Sequence, residues 1–184
     1  MVSQFVSTDK VQLLCDLGID FPAGTHAIGR LDNNSEGLLI LTTNKKVTRL
    51  LFSGKIPHKR IYLVQVNNVL SNESLFQLQT GISIKVKGGT NYTTPPCEVS
   101  KENNPEVLYK YAVPLPQYGP HTWLTVTLTE GKFHQVRKMM GAVKHRCKRL
   151  IRLSIEDLQL GQLAPGCIEE IPEDIFFKKL KINY

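Results

Sequence analysis

The 184-residue chain lacks the segments that would carry it into or through a membrane. No apolar run approaches the roughly 18 residues that a membrane-spanning helix requires. The first ten residues, MVSQFVSTDK, contain no basic stretch followed by an apolar one, so they do not form a secretory signal. The four cysteines (Cys15, Cys97, Cys147 and Cys167) never have CxxC spacing. We therefore predict a cytoplasmic protein with reduced thiols.

The patterns of several common catalytic sites are also absent. The Glu-Gly-Lys sequence at 130–132 is followed by Phe133 and lacks the upstream glycine of a phosphate-binding P-loop. The five histidines show neither the helical pairing nor the cysteine partners of a zinc site. Ser35 lacks the flanking residues of a nucleophile elbow. We therefore expect a site without a metal ion or cofactor.

One long stretch of the chain has basic residues but no acidic ones, so the positive charge is concentrated there. Between Lys132 and Arg152 the chain has eight lysines or arginines and no aspartate or glutamate, within a net charge of +7. By contrast, the first 28 residues carry one lysine and three aspartates. A one-sided basic segment favours a polyanionic partner, and RNA or DNA is the first candidate. A solvated basic face without a partner is the alternative.

Strand and helix signals alternate closely and predict one α+β domain over residues 1–184, with a mixed, largely antiparallel central sheet flanked by helices. A buried strand is predicted at Leu38–Thr43, and a helix capped by Ser71 should stop at Gly81. Residues of the 136–143 segment have helical spacing on one apolar face. The remaining predicted elements are a helix at Lys45–Phe52, strands at Arg60–Val69, Val107–Val113, Trp123–Thr129 and Cys147–Ile155, and a short strand with a closing turn within Ile168–Tyr184.

One segment places an Arg and an Asp directly before an apolar strand. This segment, GRLDNNSEGLLILT from residue 29, resembles the signature of pseudouridine synthases that modify ribosomal RNA. The resemblance continues through RIYLVQV at 60–66, LTEGKFHQVRKM at 128–139 and KRLIRLSI with LQLGQLAPG between 148 and 166. Four ordered blocks identify the chain as resembling the RsuA branch, and within it the RluE type, which has no N-terminal S4 domain.

The resemblance implies a pseudouridine synthase fold with a catalytic cleft across the sheet, and isomerisation of an RNA uridine without a cofactor. The bond between uracil and ribose breaks, and C5 of the base then bonds to C1′. Asp32 matches the essential carboxylate of the family. It could attack C1′ or take a proton from C2′, and attack on C6 is a third possibility. Tyr62 would stack on the uracil and assist loss of the C5 proton, and Leu150 would pack against the base.

Burial disfavours a charged carboxylate, so Asp32 needs a cation nearby. The family pattern assigns this role to Arg137. Arg30 points the same way along an extended segment and is better suited to a phosphate or structural contact. Glu36 lies four residues after Asp32 and could suggest the carboxylate pair of a glycosidase, but a backbone cap or surface contact explains it more simply.

The remaining substrate contacts are expected from the basic segment and the HQVR block. The chain departs from the family pattern at three places: Asn34 replaces an Asp, Arg60 replaces a Lys, and residues 154–157 lack an Ile-Gly pair.

The nucleotide must leave its stack, so a single-stranded or loop uridine is the expected target, with the large-subunit 23S RNA preferred. We expect a monomer without an obligate protein partner. The residues predicted to bind substrate are Arg30, Leu150, Lys132, His134, Gln135, Lys138, Lys148, Arg149 and Arg152.

A second function remains open from the sequence. The same fold could serve as a non-catalytic RNA-binding module that takes part in ribosome assembly. Pseudouridine mapping in cells that lack the protein would separate the two functions, because only the enzyme leaves a missing modification.

Overall fold

A computed structural model describes residues 1–52, 57–113 and 119–182. It contains one six-stranded sheet and two short two-stranded sheets. The strands are β1 (His26–Ile28), β2 (Glu36–Gly37), β3 (Ile40–Thr42), β4 (Arg60–Asn67), β5 (Ser83–Lys85), β6 (Asn91–Thr93), β7 (Glu98–Glu102), β8 (His121–Leu128), β9 (Cys147–Ile155) and β10 (Leu158–Gln159). The helices are α1 (Lys46–Phe52), α2 (Asn72–Thr80), α3 (Pro105–Leu108), α4 (Gln135–Ala142) and α5 (Glu173–Leu180), with a 3₁₀ turn at Leu14–Leu17.

The main sheet has the strand order β10-β9-β4-β8-β7, with β2 paired to β9. All of these pairs are antiparallel except β2 with β9, which is parallel. The predicted mixed, largely antiparallel central sheet is therefore confirmed. The α+β class is confirmed as well, since helices pack on both faces of this sheet.

Both faces of the central strands are buried, because successive residues of a strand point to opposite sides. Leu63 and Ile151 belong to one apolar cluster, which also contains buried residues of α1 and α5. Val64 and Leu150, their neighbours in sequence, belong to a second cluster with buried residues of α2 and α4. The sheet is thus rigidly held between two helical layers, and its strands form a firm base for side chains at its edge.

Gly37 allows the parallel pairing of β2 with β9. Its φ is +100°, and a Cβ atom there would lie 2.4 Å from the main-chain oxygen of Arg152. The N–H of Leu38 donates to the same oxygen at 2.8 Å. Only glycine combines this backbone conformation with such a close approach. The pairing brings the loop that precedes Glu36 onto the strand that carries Arg152.

Most predicted elements are present. The predicted strands correspond to β4, β8 and β9, and the predicted helices to α1, α2 and α4. The Ser71 hydroxyl caps α2 by accepting from the N–H of Ser74 at 3.1 Å, and the helix stops at Gly81, whose φ is +106°. Local signals were sufficient here, because capping residues and apolar spacing agree with the tertiary packing.

The predicted strand at Val107–Val113 is wrong. Residues of its first half form the short helix α3, and no strand follows before Val113. Pro105 occupies the first turn of that helix, where its fixed φ suits a helical start and its missing N–H costs nothing. The β-branched residues of the segment favoured a strand, but the proline decided the local conformation.

The strand predicted within the tail is also wrong for its described part, which ends at Ile182. The tail instead forms α5, which buries Phe177 and Leu180 in the core. Two acidic residues open this helix and two lysines close it, an arrangement that favours the helix dipole.

The strand in the structure is shorter than the predicted Leu38–Thr43, and residues of this segment bond to two different strands. Only Ile40–Thr42 is a strand, and it pairs with β1 rather than entering the central sheet. Leu38 instead hydrogen-bonds β9. Within the described residues, no helix is long and apolar enough to cross a membrane.

Candidate active site

A cleft of about 840 Å³ opens beside the ends of β4, β8 and β9. This volume lies within the ordinary range for small-ligand sites, so it can admit a nucleobase with its sugar. Its walls include the N-terminal segment, the loop 29–35, the end of α1, the strands β4 and β9, and the turn that joins β8 to α4. The polar and aromatic lining residues include Arg30, Asp32, Arg60, Tyr62, Lys132, Phe133, His134, Gln135 and Arg152.

Asp32 lies in the loop 29–35, called here the Asp32 loop, which connects β1 to β2. The N–H of Ser35 donates to the main-chain oxygen of Asp32 at 2.8 Å, closing a tight turn. At the start of the loop, the buried Ser3 hydroxyl contacts both the N–H and the oxygen of Leu31 at 2.9 Å. The Asp32 side chain is 29% exposed. The loop therefore holds one carboxylate at the cleft wall, partly shielded from water.

Two cationic or titratable groups face that carboxylate. Arg137 Nε lies 3.9 Å from Asp32 Oδ2, and His134 Nε2 lies 3.4 Å from Asp32 Oδ1. Arg137 comes from α4, so the fold brings together the two groups that were expected to pair across 105 residues. The contact of His134 with Asp32 was not foreseen from the sequence, where His134 was assigned to substrate binding.

Arg137 also holds the main chain of the Asp32 loop. Its Nη2 donates to the main-chain oxygen of Asn34 at 2.7 Å and to the Ser35 hydroxyl at 3.0 Å. Its Nε is buried and makes no hydrogen bond within the described part of the protein. This unpaired N–H lies 3.9 Å from the Asp32 carboxylate, so the two groups form an ion pair without a direct hydrogen bond.

Tyr62 and Leu150 lie diagonally to each other on the adjacent strands β4 and β9, where Leu150 pairs with Val64, and both line the cleft. Tyr62 is on β4, directly between Val126 of β8 and Arg152 of β9. Leu150 is buried on β9 and also lines the cleft. An aromatic ring and an apolar side chain at this position offer surfaces for a planar base.

Arg152 is the most deeply buried charged group of the cleft, at 3% exposure. Its Nε donates to the main-chain oxygen of Leu38 at 2.8 Å, and its Nη2 donates to that of Gly29 at 2.6 Å. Its side chain also interacts with Tyr62, which acts to raise the pKa of Arg152. The guanidinium therefore joins the two ends of the segment that carries Asp32 and connects both to Tyr62.

Burial changes the pKa values of two arginines that line the cleft. It lowers the pKa of Arg152, while Tyr62 and Asp32 nearby act to raise it again. Burial likewise lowers the pKa of Arg60, whose guanidinium lies 4.9 Å from the ring centroid of Phe52. Two buried guanidinium groups thus line the inner wall of the cleft.

The other residues predicted to contact substrate divide into two groups. Arg30 and Lys132 are exposed and line the cleft. Lys138 and Lys148 are half-buried, on α4 and β9 respectively. Gln135 also lines the cleft, but its amide accepts from the N–H of Lys132 at 2.8 Å and donates to Glu130 at 2.6 Å.

Arg149 does not face the cleft. It is buried and makes a bidentate contact with Glu36, at 2.9 Å from Nε and 2.7 Å from Nη2. Its Nη1 donates to the main-chain oxygen of Val113 at 2.5 Å. These contacts occupy the guanidinium inside the protein, so we correct its assignment from RNA contact to structural anchor. They also occupy the carboxylate of Glu36, which is not part of the cleft lining.

The sequence contained weak signals for the residues whose roles it missed. Gly37 indicated a close approach of two backbones, but not that Arg152 lies on the other strand. His134 adjoins the basic block, yet its approach to Asp32 depends on its left-handed backbone (φ 55°, ψ 30°), a conformation that histidine adopts more often than most residues. Within the described ranges, no three His, Cys, Asp or Glu side chains come together as a metal site.

Comparison with known proteins identifies the fold and the family. Residues 17–142 match the family described as RNA pseudouridylate synthase. The chain belongs to the pseudouridine synthase family. The matched region includes Asp32, Tyr62 and Arg137, and the resemblance noted from the sequence is confirmed.

Several named RNA pseudouridine synthases are 30–33% identical to the chain over the aligned residues. Ribosomal large subunit pseudouridine synthase E of Vibrio parahaemolyticus is 33% identical over 178 residues, which cover 92% of this chain and 69% of the relative. The protein of the same name from Xanthomonas axonopodis pv. citri is 32% identical, with 90% and 85% covered. An RNA pseudouridine synthase of Aquifex aeolicus, named as uncharacterized, is 30% identical, and the chain spans 66% of its length.

A solved structure supports the fold independently. The crystal structure of a pseudouridylate synthase superposes with a TM-score of 0.74 at 24% identity, and covers 97% of this chain and 68% of that one. The pseudouridine synthase fold expected from the sequence is therefore confirmed. This enzyme family isomerises uridine in RNA, so the chain is placed among RNA-modifying isomerases.

Proposed function

We propose that the protein converts a uridine of ribosomal RNA to pseudouridine without a cofactor, with Asp32 as its catalytic carboxylate. The observation that carries this proposal is the geometry around Asp32. The Asp32 carboxylate sits in a cleft that can admit a nucleobase with its sugar, Arg137 and His134 lie within 4 Å of it, and Tyr62 lines the same cleft. The other carboxylate that lines the cleft, Glu130, is hydrogen-bonded to Tyr92 and Gln135. A glycosidase-like pair of carboxylates is not invoked, because the detached uracil stays in the cleft and is rejoined to the same ribose rather than released to water.

The reaction requires an ionised carboxylate close to the ribose. The bond from N1 of uracil to C1′ breaks, the base turns within the cleft, and C5 bonds to C1′. The C5 proton is lost and N1 gains one, so atoms and charge balance. Whether Asp32 attacks C1′ or removes the C2′ proton, the guanidinium of Arg137 stabilises its charge in a site with little water.

Tyr62 and Leu150 are the proposed supports of the base. The Tyr62 ring would stack on the uracil, and Arg152 pairs with Tyr62 on the neighbouring strand. Leu150 would pack against the base from the neighbouring strand. Because a detached base must stay in place while it turns, apolar walls that restrain it without fixing it by hydrogen bonds suit this step.

Ribosomal RNA as substrate is supported by the names of the relatives and by the charge of the chain. Two relatives at 32–33% identity are named for the large ribosomal subunit. We propose Arg30, Lys132, Lys138 and Lys148 as phosphate contacts, because none of the four is fully buried. Such a substrate would place the protein in the cytoplasm. The alternative is a non-catalytic RNA-binding module, which would not need the Asp32 arrangement.

Replacing Asp32 tests the proposal directly. We expect Asp32→Asn to fold and bind RNA but to form no pseudouridine, since the amide has the shape of the carboxylate without its charge. Asp20→Asn is the matched control, because Asp20 is an exposed carboxylate outside the cleft. Pseudouridine would be mapped in ribosomal RNA from cells that lack the protein and are complemented with each variant. Full modification by Asp32→Asn would contradict the mechanism, and an unchanged map in the deletion strain would favour the binding module.

A further inference from the structure

Phe133 exposes its ring at the mouth of the cleft. Its exposed fraction is 66%, and it lies in the turn between β8 and α4 that forms one wall of the cleft. An isolated apolar side chain on a surface needs no explanation, but this one stands at the entrance of a proposed RNA site. Its surroundings indicate a specific use.

The Phe133 ring is stacked on the ring of His134. The two centroids are 3.8 Å apart and the planes differ by 19°. Consecutive side chains lie face to face here because His134 has a left-handed backbone conformation. His134 in turn lies 3.4 Å from Asp32. The stacked pair, called here the aromatic platform, therefore leads from the reactive carboxylate to the outside of the cleft.

One lysine cation contacts the aromatic platform directly, since Lys138 Nζ lies over the Phe133 ring, 5.3 Å from its centroid. Lys132 precedes Phe133 in the same turn, and its Nζ lies over the Tyr92 ring, 5.0 Å from that centroid. An aromatic surface next to lysines is the arrangement with which proteins hold single-stranded nucleic acid, since the ring takes a base and the cations take its phosphates.

We propose that the aromatic platform binds the base of a nucleotide adjacent to the target uridine. This inference rests on the proposed function, because it requires an RNA uridine at Asp32. When the uridine leaves its stack to enter the cleft, the neighbouring base loses a stacking partner. The neighbour is joined to the uridine by one phosphodiester and must emerge at the cleft mouth. Phe133 replaces the lost stacking partner there, and Lys138 contacts the adjoining phosphate.

A fluorescent base next to the uridine provides the test. The probes are two single-stranded heptamer RNAs with one uridine, which carry 2-aminopurine on its 5′ or its 3′ side. They are bound to the inactive Asp32→Asn protein, so the uridine stays unreacted. Stacking on the platform quenches 2-aminopurine, so one of the two probes should lose fluorescence on binding. Phe133→Leu should abolish this quenching, while Phe133→Trp should retain it.

The affinity for the same RNA gives a second readout. Stacking on an aromatic side chain corresponds to about 5- to 150-fold in affinity. Phe133→Leu should therefore weaken binding within this range, and an abasic nucleotide at the platform position should do the same. Combining the two changes should add nothing further, because both remove one interaction. Phe76→Leu is the matched control, since Phe76 is 64% exposed but lies on α2 and does not line the cleft.

Three results would overturn the inference. They are no quenching with either probe, equal quenching in Phe133→Leu and the Asp32→Asn parent, or additive losses from the variant and the abasic site. Additive losses would mean that Phe133 merely supports His134 rather than binding a base. These outcomes leave the proposed function standing if the wild-type protein modifies RNA in an Asp32-dependent manner. Failure of the proposed function is recognised separately, by turnover that persists in Asp32→Asn.

Discussion

Replacing Arg152 distinguishes a positioning role from the phosphate contact that the sequence suggested. The structure gives Arg152 two main-chain acceptors, the oxygens of Leu38 and Gly29, and a contact with Tyr62. We expect Arg152→Met to fill a similar volume and remove all three contacts. Because Gly29 is the first residue of the Asp32 loop and Leu38 follows the loop, the loop should then shift or become mobile while the rest of the sheet stays intact.

The magnitude follows from the two main-chain bonds. A hydrogen bond to a charged group contributes about 1.5–3 kcal/mol, so two contribute about 3–6 kcal/mol. Removing a buried guanidinium also removes the cost of desolvating its charge. The lowered pKa of Arg152 reflects this cost. We therefore expect a net loss of about 2–4 kcal/mol in the free energy of unfolding. This is a large share of the roughly 5–15 kcal/mol typical of a folded domain, but most of the protein should remain folded at 20 °C.

The kinetic effect should exceed the effect on stability. Misplacing a reactive group by about 1 Å can cost about 100-fold in rate, so kcat of Arg152→Met should fall about 100-fold or more. The value of KM should change little, because the guanidinium donors are directed at the main chain. Arg152→Lys should fall between, since an ammonium keeps the charge but cannot span both oxygens as the fork of arginine does.

Arg149→Met is the control for the assay. Arg149 is also a buried arginine of β9, but it holds Glu36 outside the cleft. We expect a measurable loss of stability by urea unfolding with kcat within a few-fold of wild type. The reasoning about Arg152 is refuted if Arg152→Met keeps kcat, raises KM and lowers the salt dependence of RNA binding by one phosphate contact. That result would restore the phosphate role.

Two further predictions concern local chemistry and packing. Burial raises the pKa of the Cys147 thiol to about 11, so only about 0.1% of it is thiolate at pH 8. Iodoacetamide should therefore label the exposed Cys15 long before Cys147. Comparable labelling rates of the two cysteines, measured by mass spectrometry, would contradict this. Gly37→Ala should destabilise the protein by at least ~2 kcal/mol and lower Tm by at least ~4 °C, because the added Cβ meets the Arg152 main chain at a strained φ. Gly141→Ala should be neutral or stabilising, as it lies on α4 with nothing within 4 Å, and equal Tm values for the two variants would argue against the close approach.

The sequence predicted the parts of the fold that local rules determine. The Ser71 cap, the glycine stop of α2 and the alternation of β8 each appear where their residues place them. The failures lie where a local preference competes with another signal. Apolar, β-branched residues of the 107–113 segment suggested a strand, while Pro105 set a helical start and the chain then packed Tyr109 into the core without a strand partner.

The sequence indicated which residues belong to the candidate site better than it indicated the contacts that they make. A motif could point to Asp32, and the family pattern to Arg137, because both are read from residue type and order. No sequence rule placed His134 beside Asp32, since that contact depends on the path of the turn that precedes α4. Nor could basic residues be divided by inspection into outward and inward groups. Arg149 and Arg152 share one strand with the half-buried Lys148, and only the packing shows that both arginines are buried.

The contacts of Arg137 and Arg152 explain how a short loop becomes a precise support for a carboxylate. The Asp32 loop has few apolar contacts of its own to fix it, and its polar main chain must be satisfied by the surroundings. Arg137 bonds the loop at Asn34, and Arg152 bonds the flanking oxygens at Gly29 and Leu38. Both guanidinium groups also bring positive charge towards Asp32. Because the same two groups hold the backbone on both sides of Asp32 and lie near its carboxylate, we expect a change at either arginine to displace the carboxylate.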